Sequence, residues 1–170
     1  PASPFAPANP SFEEGEPLPS GWRVMEGARI ADGGPTAVVA LDRSAAASAG
    51  RAALRFASDA ATRSWPALYQ DLPARPGERV VLAVAGRSQR LRREGRQYRQ
   101  ANGFLFFLDE SGAVIRGEAT AVLQGTRDWV DLQCQAITPP KAVTLRVGLV
   151  ASLSGTAWFD DVRLQRVAPE

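Results

Sequence analysis

The chain contains no histidine, one cysteine and one methionine, and its 20 basic residues include a single lysine, Lys141. The missing histidine excludes the most, because imidazole is the usual general base for an activated serine or cysteine and the commonest zinc ligand. Hydrolytic triads of the usual kind are therefore impossible. The one cysteine, Cys134, can form no internal disulfide, and its place in an alternating apolar run reads as a small core residue rather than a nucleophile. No run approaches the roughly 20 apolar residues that span a bilayer, and no basic-then-apolar start resembles a signal peptide. The chain is expected to be soluble, and either processed or excised.

What is present points to strands. The length of 170 residues suits one domain with a real core, and 13 Pro and 15 Gly favour many turns over long helices. Residues Pro1 to Pro10 hold four Pro and three Ala, so 1–8 read as a linker or irregular leading segment, 9–166 as one domain and 167–170 as a tail. Apolar-alternating segments recur around Phe12, Arg51 to Phe56, Trp65 to Leu72, Arg79 to Ala85, Gly103 to Leu108, Trp129 to Ala136, Thr144 to Ala151 and Trp158 to Leu164. Turn signals at Ala74-Arg75-Pro76-Gly77, Glu110-Ser111-Gly112 and Ser154-Gly155 separate them. Eight or so strands at this spacing predict an all-β sandwich or barrel. Only the polar stretch Ser88 to Gln100 has a helical look.

Period-two alternation assigns faces. Leu145, Val147, Leu149 and Ala151 share one face, and Leu132, Cys134 and Ala136 another. In the last strand Trp158, Val162 and Leu164 share a face with Asp160, and Phe159, Asp161 and Arg163 point the other way. In Gly103 to Leu108, Leu105 and Phe107 oppose Phe104 and Phe106, so either both faces are covered or one aromatic pair is open to a ligand.

Three segments in order carry a resemblance: Asn9-Pro10-Ser11-Phe12-Glu13-Glu14-Gly15 with Gly21-Trp22, then Ala49-Gly50-Arg51-Ala52-Ala53-Leu54-Arg55-Phe56, then Gly155-Thr156-Ala157-Trp158-Phe159-Asp160-Asp161-Val162-Arg163-Leu164. Gly125-Thr126-Arg127-Asp128-Trp129 and the Pro139-Pro140 turn fit the same pattern. From Asn9 to Leu164 the chain resembles the jelly-roll carbohydrate-binding modules of families four, nine and twenty-two, with a galactose-binding-like sandwich of two antiparallel sheets. The resemblance implies a fold more than a ligand. It also implies packing roles for Trp22, Trp129 and Trp158.

The resemblance further implies a structural calcium tying the first strand to the last, held by Glu13 and Asp160 with main-chain carbonyls near Ser11 and Arg51. Calcium takes six to eight oxygens, so two carboxylates need that help. Asp160 on a core-facing position would be costly to leave unpaired. The alternative is that Asp160 accepts loop amides or pairs with an arginine while Glu13 is solvated.

For a ligand, flat aromatics combined with planar polar side chains suit sugar. The richest group is Trp65, Tyr69, Gln70, Arg87, Arg90, Tyr98, Gln100 and Asn102, with Phe104 and Phe106. Arg87 to Gln100 holds six Arg against one Glu and interrupts an otherwise tight hairpin, and guanidinium forks suit carboxylate or sulfate. A solvated loop in an arginine-rich proteome is the plainer account of it. With a net charge of +2 and no nucleic-acid motif, nucleic acid is disfavoured. The leading expectation is a secreted, periplasmic or cell-surface module, non-catalytic, that binds a neutral or acidic polysaccharide beside a catalytic domain of the same polypeptide. A structural accessory domain and a small polysaccharide lyase using Tyr98 with Arg96, Arg99 and Gln100 are the competitors.

Overall fold

The computed structural model describes residues 3–25, 38–47, 50–58, 66–92, 101–152 and 154–169. Ten strands build it: β1 Arg23–Val24, β2 Val38–Asp42, β3 Ala53–Ser58, β4 Ala67–Pro73, β5 Arg79–Arg92, β6 Ala101–Leu108, β7 Val114–Ala119, β8 Gly125–Ile137, β9 Thr144–Ala151 and β10 Ser154–Val167. They form two five-stranded sheets, ordered β1-β4-β9-β6-β7 and β2-β3-β10-β5-β8, and every pairing is antiparallel. This is the expected all-β jelly-roll sandwich, with no helix among the described residues.

The alternation rule worked where strands are regular. Leu145, Val147, Leu149 and Ala151 are buried between the sheets with Leu132 and Ala136, and Cys134 packs against them half-buried. Burial pushes the Cys134 thiol up to about 11, aided by the negative charge of Glu118, so it stays protonated at neutral pH.

Four expectations need correction. Ser88 to Arg92 continue β5 as strand rather than helix, and residues 93–100 lie outside the described residues. The connection from β5 to β6 crosses between the two sheets and is not an interrupted hairpin, because β5 pairs with β8 and β10 whereas β6 pairs with β7 and β9. Phe12 is buried without belonging to a strand: its φ is +55°, and its ring lies 5.1 Å from that of Trp22. Ser154 and Gly155 form the bulged start of β10, where the register against β5 slips, rather than a separating turn.

The last strand's faces also differ from the alternation expected. A bulge at Asp160-Asp161, with Asp161 at φ +50°, inserts an extra residue between Asp160 and Arg163. Before the bulge, Ala157 and Phe159 face the core, and after it Val162 does, with Leu164 packed alongside. Trp158 consequently turns outward, where Asp42 Oδ2 accepts its Nε1–H at 2.9 Å and Arg87 lies 5.1 Å over its ring. One extra residue inverted half the strand.

The leading segment lies against the sandwich. The Phe5 ring sits under Arg75 at 3.7 Å and Arg166 at 5.2 Å, and Gln70 both donates to Ala8 O and accepts from Ala8 N. Arg166 in turn pairs with Glu78, and both side chains are buried.

Candidate functional site

The outer face of the β1-β4-β9-β6-β7 sheet carries side chains in three cross-strand rows. Tyr69, Gly148, Phe104 and Ala119 form one row; Asp71, Arg146, Phe106 and Gly117 form the next; Ala67, Val150 and Asn102 form the third. Leu68, Leu72, Leu105 and Phe107 face the core, so their odd-and-even neighbours must face outward.

The two phenylalanines touch, with ring centroids 4.5 Å apart and planes 36° from each other. Glycine makes this possible. A Cβ at residue 148 would overlap the Phe104 ring, and one at 117 would stand 3.1 Å from Phe106. Phe104 is consequently pressed onto the strand, whereas Phe106 remains half-buried and lines a 390 Å³ pocket with Met25, Ala67, Glu118 and Val150. Ala67, Phe104 and Val150 form an apolar cluster of their own, separate from the core.

Beside this floor, Arg146 is fixed. Its Nε and terminal nitrogen donate to the two Asp71 oxygens at 2.8 and 2.9 Å, and its guanidinium lies 4.1 Å over the Tyr69 ring. The Asp71 hydrogen bonds raise its pKa further. Arg116 is likewise paired with Glu118 at 3.0 Å. The cation beside the aromatic pair is thereby neutralised, whereas Arg23, in register with Tyr69 at the β1 edge, is exposed and belongs to none of the ion pairs.

Of the sequence-selected ligand residues, the structure brings Tyr69, Phe104 and Phe106 to this face, while Asn102 shares their parity but is buried, its amide donating to Gly103 O. Gln70 points to the core side and is spent on Ala8, as its alternation with Tyr69 requires. Arg87 and Arg90 lie on β5 in the other sheet. Trp65, Tyr98 and Gln100 lie outside the described residues. Sequence reasoning missed Met25, Asp71, Arg146, Gly117 and Gly148. Extending the alternation of Leu145, Val147 and Leu149 would have placed Arg146 and Gly148 here.

At the Asp160 bulge, Asp160 Oδ2 accepts from Ala47 N at 2.8 Å and Oδ1 from Asp161 N at 2.7 Å. Glu13 accepts from the amides of Arg51 and Ala52, and the Ser11 hydroxyl donates to Asp161 at 3.2 Å. Burial, with the negative charges of Asp161 and Glu13 adding, raises the Asp160 carboxyl to about 6. Among the described residues no group of three or more His, Cys, Asp or Glu is placed to hold a metal. Trp129, half-buried, lines a 480 Å³ groove next to this bulge with Asp131 and Arg163.

The geometry just described belongs to a fold found in several solved structures. The CBM22-1 xylan-binding domain of Paenibacillus barcinonensis Xyn10C is 19% identical, with a TM-score of 0.60 over 94% of this chain and 93% of that one. TmCBM61, solved with β-1,4-galactotriose, is 19% identical, with a TM-score of 0.55 over 93% and 95%. A cyclase from Fischerella sp. TAU, solved with 4-(1H-indol-3-yl)butan-2-one, is 17% identical, with a TM-score of 0.66 over 98% of both chains. The fold is thus that of jelly-roll carbohydrate-binding modules, and it is shared by an enzyme. The chain also matches part of the bacteriophage CBA120 tailspike protein 4 at 14% identity and a TM-score of 0.65, spanning 22% of that chain. No family model and no curated protein matches the sequence. No helix among the described residues is long and apolar enough to cross a membrane.

Proposed function

We propose that this chain is a non-catalytic carbohydrate-binding domain whose outer β1-β4-β9-β6-β7 face holds a polysaccharide against Phe104 and Phe106. The observation that carries the reading is the aromatic pair on a glycine floor outside the core, lining a pocket of its own. Sugar rings present an apolar C–H face to aromatics and a polar rim to side chains such as Tyr69, Asp71 and Glu118. Because Arg146, the cation beside the aromatic pair, is already held by Asp71, the centre of this face suits an uncharged glycan. The xylan- and galactotriose-binding neighbours support that reading as fold relatives.

Binding is measured by calorimetry and affinity electrophoresis against xylan, β-1,4-galactan and cellulose derivatives, with Phe106→Ala alongside. Binding weakened at least tenfold in the variant supports the proposal. No binding to any glycan overturns it and leaves a structural accessory domain, docked on a catalytic partner through this apolar face. A second reading follows from the mainly apolar lining and the indole-bound cyclase neighbour: a small aromatic ligand. Titration with indole derivatives separates it from sugar binding.

We also propose a structural calcium at Glu13 and Asp160, with main-chain carbonyls near Ser11 and Arg51. The donors are oxygens only, as calcium requires, and a dication would offset both the burial that chiefly raises Asp160 and the smaller repulsion from Asp161 and Glu13. The ion would tie the leading segment to β10. A secreted or cell-surface location beside a catalytic domain is the context in which such a module delivers an enzyme to its polymer.

A further inference from the structure

On the opposite side of the sandwich, the outer face of the β2-β3-β10-β5-β8 sheet has the reverse electrostatic character. Arg55, Trp158 and Arg87 form one cross-strand row, so two guanidinium groups flank the indole. Strand β5 runs on past a register shift to Arg90 and Arg92, which flank the core residue Leu91 and so point outward, and both are exposed. Arg127, on the neighbouring β8, is in register with the buried Ser88 and stands at the sheet's edge rather than on this face.

None of the ion pairs among the described residues engages Arg55, Arg87, Arg90 or Arg92. Asp42 accepts from Ser44 and Trp158 and lies within the electrostatic reach of Arg55. On the aromatic face Arg146 is held by Asp71, and Arg23 stands unpaired at the edge.

We infer that this arginine strip is a second binding surface, separate from the aromatic face, for a linear anionic polysaccharide carrying sulfate or carboxylate groups. Guanidinium forks engage such groups bidentately, and arginines spread along one strand suit a repeating polyanion better than a single small anion. Trp158, the aromatic within the strip, is 8% exposed and lies beneath Arg87, so it offers no open face for a base to stack upon. A polysaccharide therefore fits better than nucleic acid.

The test measures binding to heparin, polygalacturonate and a single-stranded DNA oligonucleotide at 50 and about 300 mM salt. The wild-type chain should bind at least one of the two glycans at low salt and lose more than about tenfold in affinity at high salt. Arg90→Gln/Arg92→Gln should bind that glycan at least about fivefold more weakly, with an unchanged melting midpoint. Arg90→Lys/Arg92→Lys, which keeps the charge and loses the fork, should fall between. Phe106→Ala should bind it as the wild type does, which keeps this surface distinguishable from the aromatic face. Failure to bind either glycan, binding insensitive to the glutamine variant, or tighter binding to DNA than to both glycans overturns the inference.

Discussion

The Phe104 ring lies over Gly148 of the neighbouring strand, in the space a Cβ at residue 148 would occupy. A methyl group there must push the ring off the sheet and toward Phe106. Gly148→Ala should therefore cost about 1–3 kcal/mol of stability by overpacking. It should also weaken glycan binding by about tenfold, because the floor is no longer flat. Urea unfolding and calorimetry read the two effects separately. Wild-type affinity in a destabilised variant would show that the ligand does not contact this floor.

That glycine shows why the site was only partly legible in sequence. Alternation put Phe104 and Phe106 on the face opposite Leu105 and Phe107, since parity in a regular strand needs no tertiary knowledge, but left open whether that face was covered. It could not say which residues on β4, β7 and β9 lie beside them, because register across strands distant in sequence is set by the whole sandwich. Arg87 and Tyr69 looked like one group in sequence and lie on different sheets. The bulge at Asp160-Asp161 defeated parity outright: two adjacent carboxylates give no signal that an extra residue has been inserted.

The leading segment is held by Gln70, whose amide exchanges two hydrogen bonds with the Ala8 backbone, and by Phe5 under Arg75 and Arg166. Removing residues 1–8 strips a buried amide of both partners and two guanidinium groups of their ring. A loss of about 1–3 kcal/mol in urea unfolding is expected. A truncated chain as stable as the full one would mean the segment contributes nothing to the fold.

Arg166 and Glu78 form an ion pair with side chains 8% and 4% exposed. Replacing Arg166 by Met leaves the Glu78 carboxylate buried without its partner, and about 3–5 kcal/mol should be lost. Adding Glu78→Leu removes the orphaned charge and should recover most of that loss. The recovery measures desolvation of a single charge; its absence would place the cost in the other contacts of Arg166, with Pro73 O and Phe5 O.

Asp160 sets the pH dependence of the metal-free protein. Its carboxyl is raised from 3.8 to about 6 in the fold by burial and by the charges of Asp161 and Glu13. Between those values the folded chain keeps a proton that the unfolded chain has released, so stability falls as pH rises from about 4 to 6. The contribution is complete below the unfolded value and gone above the folded one. With EDTA present, melting midpoints across that window should decline for the wild type and decline less for Asp160→Asn, which stays neutral at every pH. Calcium added at pH 7, above the raised Asp160 value, should raise the wild-type midpoint and leave the Asn variant's nearly unmoved. A midpoint indifferent to calcium in both would leave the main-chain amides of Ala47, Arg51, Ala52 and Asp161 as the whole of what these carboxylates bind.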